Sequence, residues 1–329
     1  MANTYEPLIN ESGNNNNNTS GIEMKKMSMD EPTKDGSHII KAKENVVLYT
    51  DYIDPLSTVK ACIELGYKKA LRTTFRDIYN PFSVFLSAIL SGSYLGFAIL
   101  IVIVAISNEF HKTSAALLFP FGFLLLILSG NSLATGNFAL LPMALVYDKR
   151  KKKSGRIDTV KVLVNWFIVY MGNFVGTMIV LFLFWGGKTH FSKRKPSLYA
   201  NFTDAMCQVA RSKIVDYKES GGGAGWFAAL FNGMLANWLV TLAVLLSLST
   251  RSIAGKVLCV YLPISIFVAL SFEHAIVNLF VGPAGLTFKC GYSFGDWIVW
   301  NQIPVTLGNI IGGASFTGFM FYGIYANQL

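Results

Sequence analysis

Six runs of about 20 or more hydrophobic residues, the length that carries a helix across about 30 Å of hydrocarbon, constrain this chain more than any other feature. They fall near residues 82–107, 114–147, 159–186, 224–249, 254–286 and 296–326. In hydrocarbon every backbone N–H and C=O must find its partner within the protein, so spans of this length fold as helices. The second and fifth runs are too long and too interrupted to be single helices. Only 14% of the residues are charged, where a soluble domain carries about a quarter. The fold class that follows is an all-α membrane protein of six transmembrane helices. The net charge of +9 sits mostly in loops and tails, so it reports topology rather than nucleic-acid binding.

Residues 1–45, with Asn14 to Asn18, offer too little apolar surface to offset ordering entropy and are expected to be a disordered cytoplasmic tail without a cleaved leader. Residues 46–80 form a cytoplasmic amphipathic region, with a helix expected over residues 54–70 and Pro55 at its start. Lys60, Lys68, Lys69, Arg72 and Arg76 precede the first span, and Lys149 to Lys153 with Arg156 form the densest basic run. Both mark the cytoplasmic side, which puts both termini of a six-span protein there. The 187–223 connection then lies outside. Its Lys188, Lys193, Arg194 and Lys195 pull against that placement, whereas the sequon Asn201-Phe202-Thr203 fits it. Its 202–217 portion reads as an amphipathic surface helix. Cys62, Cys207, Cys259 and Cys290 have no CxxC pair or metal spacing and give no redox or zinc signal.

Within the fifth span, Ser271-Phe272-Glu273-His274-Ala275-Ile276-Val277-Asn278 carries an acid, an imidazole and an amide within six positions. Ionisable groups at membrane depth are costly and persist where they face a cavity or a permeation path. The second span breaks at Gly130-Asn131-Ser132-Leu133-Ala134-Thr135-Gly136-Asn137. A simple kink is the bland reading; the second break, at His274, favours backbone exposed to a water-filled path. Spans three and six share one pattern, Asn165, Gly172, Asn173, Gly176 and Asn301, Gly308, Asn309, Gly312, at a constant offset (301 − 165 = 136). The breaks agree closely, Thr135 with His274 at 139. Three spans per half, about 81–186 and 224–326 within a transport domain 81–329, insert with opposite orientation, and the site of such an inverted repeat lies where the halves meet near the midplane.

Half-helices starting at Gly136 and near Ala275 would aim their unpaired N–H donors and positive dipole ends at an anion between them. Thr135 can donate a hydroxyl proton there, and His274 an imidazole N–H. Burial opposes a charged ring, so a neutral His274 at rest is expected, charged only transiently or with an anion present. Glu273 has no cation in its own span and is expected to bond amides such as Asn237 or Asn278, or the free backbone. Phe119 and Phe267, upstream of the two breaks, are placed to narrow the path, where a bare anion is costly and its conjugate acid is not. Either the site's field or a co-travelling proton lowers that cost.

These residues resemble the formate–nitrite transporter family over about residues 54–326. Phe272 to Asn278 is similar to its fifth-span motif, Pro304 to Asn309 with Gly312-Gly313 to its sixth, Asn165-Trp166 through Gly176 to its third, and Leu133 to Asn137 to its second-span break. The resemblance implies a homopentamer of aquaporin-like protomers, each with its own pore, carrying formate, acetate, lactate or nitrite, with a proton as the expected partner. It implies His274 as the central histidine, Thr135 as the loop threonine, and Asn237, Asn278, Glu273 and Asn309 as the polar network around them. Phe119 and Phe267 fall on its outer constriction, Phe123 and Val240 on the cytoplasmic one. Where the family commonly has Phe this chain has Ala134, which is expected to widen the path for acetate or lactate. The family's outer-loop lysine aligns near Gly221; Lys218 is close but out of register.

Two other classes share part of the pattern. A water or glycerol channel needs Asn-Pro-Ala boxes at both breaks, and the sole Asn-Pro, Asn80-Pro81, lies elsewhere. A membrane enzyme needs clustered ligands, but His38, His111 and His190 lie in tails or loops. No metal, cofactor or catalytic residue is expected.

Overall fold

Each hydrophobic run becomes helix, and two become a pair of half-helices. The computed structural model describes residues 55–71, 81–150, 157–194 and 196–329, with the backbone alone over 188–194, at 196 and 198, and in the short segments 5–8, 23–26, 40–42 and 45–47. The rest of the 1–45 tail, Arg72 and Arg76, and the basic run beyond Arg150, with the expectations placed on them, lie outside the described residues. A separate N-terminal unit, Met1–Ile53, contributes the backbone of two antiparallel ribbons, Tyr5–Leu8 with Glu23–Lys26 and Ile40–Ala42 with Asn45–Val47.

The regular structure of the main unit is all helix among the described residues: α1 (Pro55–Leu71), α2 (Pro81–Ser107), α3 (Lys112–Ala116), α4 (Pro120–Leu128), α5 (Ala134–Arg150), α6 (Thr159–Arg194), α7 (Pro196–Glu219), α8 (Gly222–Leu248), α9 (Ile253–Ala269) and α10 (Ala275–Thr287). The last, α11 (Phe294–Tyr325), carries π-helical turns at Ile298–Gln302 and Gly313–Phe319. Helices α2, α6, α8 and α11 are long and apolar enough to cross a membrane. The second and fifth hydrophobic runs fold instead as shorter helices in pairs, α4 with α5 and α9 with α10. Large apolar side chains such as Phe167 (66% exposed) and Phe182 (69%) point outward from the spans, as they do on a surface that meets lipid or another subunit.

The breaks are built alike. The first half-helix of each pair ends on a residue in the left-handed region, Gly130 (φ 69°) and Ser271 (φ 56°), a common helix stop. The chain then runs to a new helix start at Ala134 and at Ala275. The first of these lies two residues before the Gly136 start expected from sequence, so Thr135 belongs to the first turn of α5.

The repeated Gly-Asn-x-x-Gly pattern now has a physical reason. A Cβ on Gly176 would lie 2.0 Å from the Ile89 carbonyl oxygen, and one on Gly312 would lie 2.2 Å from that of Met234. These glycines let α6 lie directly on α2, and α11 on α8, with backbone against backbone. The asparagine between them caps the neighbouring break. Asn173 Oδ1 accepts from the Ala134 N–H (3.0 Å) and its Nδ2 donates to the carbonyls of Ala88 (2.8 Å) and Ser132 (3.2 Å). Asn309 Oδ1 accepts from the Ala275 N–H (2.8 Å) and its Nδ2 donates to the carbonyls of Gly233 (2.8 Å) and Glu273 (3.0 Å). The two breaks therefore correspond at 275 − 134 = 141, which corrects the 139 inferred by pairing Thr135 with His274. By this register the counterpart of His274 is Leu133.

Candidate functional site

The two half-helix starts meet at one contact. Thr135 Oγ1, in the first turn of α5, lies 3.0 Å from His274 Nε2, the residue that caps α10. His274 Nδ1 accepts from the Val277 N–H at 3.3 Å. With that nitrogen used as an acceptor, a neutral ring carries its proton on Nε2 and donates it to Thr135. The Thr135 hydroxyl then has its own proton to offer. Thr135 and His274 are both buried.

Asn237 on α8 ties this contact to the sixth span. Its Nδ2 donates to the Thr135 carbonyl (3.1 Å) and to the Asn309 carbonyl (2.6 Å). Of the alternatives expected for Glu273, it is therefore not the partner. Asn278 is, Nδ2 to Oε2 at 2.8 Å, joined by Asn301 Nδ2 at 3.3 Å. The carboxylate's other oxygen takes Lys213 Nζ at 3.1 Å and the Tyr217 hydroxyl at 3.3 Å. Burial, with Glu273 beside it, holds the Tyr217 hydroxyl well above the usual phenol range, so it serves as a donor. Glu273 is thus a buried carboxylate with four side-chain donors, one of them a cation.

Lys213 was not singled out in the sequence, and Lys218, which was weighed, points elsewhere: it pairs with Asp296 at 2.8 Å. The signal for Lys213 was helical phase. Once α7 runs from Pro196 to Glu219, Lys213 and Tyr217 stand one turn apart on the face turned toward Glu273. The cysteines correct a second expectation, for Cys207 on α7 and Cys290 beyond α10 form a disulfide. Eighty-three residues separate them, so no short motif announces the pair.

A cavity of about 400 Å3 opens onto this cluster, lined among others by Lys213, Glu273, His274, Phe119 and Phe267. The rings of Phe119 and Phe267 meet edge to face with centroids 5.5 Å apart, and that of Phe267 lies 5.9 Å from the imidazole. Phe123 and Val240 are buried on α4 and α8, and no hydrogen bond or ring contact joins them to the His274 cluster. Among the described residues no group of His, Cys, Asp and Glu has the arrangement of a metal site.

The arrangement offers a small anion hydroxyl and imidazole donors, a lysine on the cavity wall and the positive dipole ends of two half-helices. Contrary to the unpaired donors expected there, the N–H groups of Ala134, Ala275 and Val277 are already taken by Asn173, Asn309 and His274. Comparison with known proteins bears on this directly. The model of a family described as "Formate/nitrite transporter" matches residues 57–323. The chain is 32% identical to an uncharacterized transporter, YrhG, of Bacillus subtilis over 82% of its length and 93% of that protein. It is 29% identical to the formate channel FocA of Escherichia coli over 84% of its length and 96% of that protein. A solved structure described as a pentameric formate channel with formate bound superposes with a TM-score of 0.62 at 28% identity, covering 75% of this chain and 98% of that one.

Proposed function

Because the chain belongs to the formate/nitrite transporter family, and is an integral membrane protein rather than an enzyme, we propose that it carries small monovalent anions (formate, acetate, lactate or nitrite) together with a proton. The path runs from the Lys213 vestibule, past Phe119 and Phe267, to His274 and Thr135, and out past Phe123 and Val240. The observation that carries the reading is the Thr135–His274 contact at the meeting of the two breaks, beneath a cavity with Lys213 on its wall.

In this path Lys213 concentrates the anion, the half-helix ends hold it, and the Phe pair strips water from it. Desolvation costs a bare anion far more than its conjugate acid, so protonation near His274 lets the solute pass as a neutral species. Carboxamide oxygens of Asn137, Asn237, Asn278 and Asn301 are buried without a partner among the described residues. They remain as acceptors for an acid O–H or for water.

The α7 side is the external face and the termini are cytoplasmic, in a plasma membrane. The basic run 149–153 supports the inner assignment. The Cys207–Cys290 bond supports the outer one, because disulfides persist on the oxidising side. The two halves insert with opposite orientation, and five such chains assemble, each with its own pore.

Uptake of labelled formate into proteoliposomes across a pH range, with and without an imposed voltage, tests the reading. Electroneutral, acid-stimulated flux is expected; flux that responds to voltage by about 2.3 kcal/mol per 100 mV would mean an unaccompanied anion. His274→Phe is expected to lower uptake at least about 100-fold with an unchanged oligomer on size-exclusion chromatography. Ala134 sets the width of the path, and an unaltered lactate-to-formate uptake ratio in Ala134→Phe would overturn that assignment.

A further inference from the structure

The outer break is held by a closed ring of contacts, and one link of it is covalent. From Cys207, α7 runs six residues to Lys213, about 9 Å of helix. Lys213 reaches Glu273 at 3.1 Å, Glu273 adjoins His274, and α10 leads from His274 to the turn at Lys289 (φ 57°) and Gly291 (φ 87°). Cys290 in that turn closes the ring onto Cys207. Arg211, between Cys207 and Lys213 on α7, donates to the Cys290 carbonyl at 3.3 Å. Phe202 packs against Phe288 with ring centroids 5.6 Å apart. The same turn thus meets α7 covalently, by a hydrogen bond and by a ring contact, all on the Lys213 side of the helix start.

We propose that the Cys207–Cys290 disulfide is a positioning latch for Lys213, holding α7 against α10 so that the ammonium stays on Glu273 at the wall of the vestibule. This rests on the transport reading above. The latch fixes where the vestibule's cation stands; it does not touch the solute. Opened, it leaves α7 held without a covalent tie, by Arg211, by the rings of Tyr199 and Phe202 on Phe288, and by Asn301 donating to the Lys213 carbonyl at 2.8 Å, and the ammonium is held less closely beside the His274 entrance.

The test measures formate uptake in proteoliposomes before and after treatment with dithiothreitol. Reduction passes two electrons and two protons to the disulfide, leaving two thiols, while the dithiol closes to its ring disulfide. The two new thiols are counted by maleimide mass shift. The expected result is a KM for formate raised about fivefold, the low end for coupling between distinct sites, with Vmax changed less. Cys207→Ser combined with Cys290→Ser is expected to reproduce the shift. In Lys213→Gln, reduction is expected to change KM no further, because the latch acts through that side chain. Release of both thiols with KM unchanged, or with the same proportional rise in Lys213→Gln, overturns the latch. Where the double variant fails to assemble, reduction of the assembled wild type decides; where the bond resists dithiothreitol, the variant does. Failure of the untreated oxidised protein to take up formate would count against the transport reading instead.

Discussion

The N-terminal half, here called inner after the proposed orientation, and the C-terminal half, called outer, place the same groups around their breaks and finish them differently. Asn165 Nδ2 donates to the Lys69 carbonyl at 3.0 Å, and Asn301 Nδ2 to the Lys213 carbonyl at 2.8 Å. Lys69 Nζ lies 3.2 Å from the Ser132 hydroxyl, and Lys213 Nζ lies 3.1 Å from the Glu273 carboxylate. The repeat therefore extends beyond the spans to α1 and α7, each of which delivers one lysine to one break. Past that point the halves part. The inner lysine rests on a neutral hydroxyl and the outer one on a carboxylate. Helix α1 is tied to the end of α5 by Tyr67 donating to Asp148 at 2.6 Å, whereas α7 is tied to the end of α10 by a disulfide. Scaffold groups are duplicated, while among the described residues the carboxylate at the break itself and the covalent tie belong to the half that carries His274.

If the scaffold is duplicated, its two asparagines are worth the same. Asn309→Ala strands the Ala275 N–H and the Glu273 carbonyl, and takes the second donor from the helical carbonyl of Gly233. Asn173→Ala strands the Ala134 N–H and the Ser132 carbonyl, and takes the second donor from the helical carbonyl of Ala88. At about 1–3 kcal/mol for each buried group left unpaired, and with some relaxation, both variants are expected to lose about 3–5 kcal/mol. Thermal unfolding of the solubilised oligomer checks this; a loss confined to one half would break the equivalence. The charged finish predicts the opposite pattern. Glu273→Gln removes the partner of a lysine that is only 16% exposed and is expected to cost about 3 kcal/mol, the low end for breaking a buried pair. Its inner counterpart, Ser132→Ala, forfeits one ordinary hydrogen bond, about 1 kcal/mol. Equal losses from these two would show that the outer carboxylate adds nothing beyond its hydrogen bonds.

This contrast also explains what the sequence could reveal. Spans, breaks and the Gly-Asn-x-x-Gly repeat were legible because membrane folding demands long apolar runs, and because close helix packing and capping need particular residue types at fixed spacing. His274 and Thr135 were legible as polar residues inside apolar segments. Lys213 was not, because a lysine in an amphipathic helix looks like a solvated face until its phase relative to another helix is known. The Cys207–Cys290 pair and the Glu273–Lys213 bond join distant positions by tertiary contact alone. The register of the breaks was misjudged by two residues because the alignment was made on the chemically interesting pair, Thr135 and His274, rather than on the groups that repeat.

The smallest expected effect isolates Lys213 from general positive charge on the outer face. Lys218 stands five residues further along α7, and its ion pair with Asp296 is 2.8 Å long, shorter than that of Lys213 with Glu273. Distance alone would rank it the stronger contact. Its side chain is 48% exposed, however, and that of Asp296 19%, so water screens the pair, and exposed pairs contribute about 0–1 kcal/mol. Lys218→Gln is therefore expected to change stability by less than about 0.5 kcal/mol and to leave the KM for formate within about twofold, the low-salt steering of a single surface charge. Measured beside Lys213→Gln at low and physiological salt, it separates two accounts of the outer half. A KM that rises alike in both variants and falls together with added salt would mean that the vestibule works by diffuse surface charge. A rise restricted to Lys213→Gln and insensitive to salt would mean that one ammonium, held where Glu273 and α10 put it, does the work.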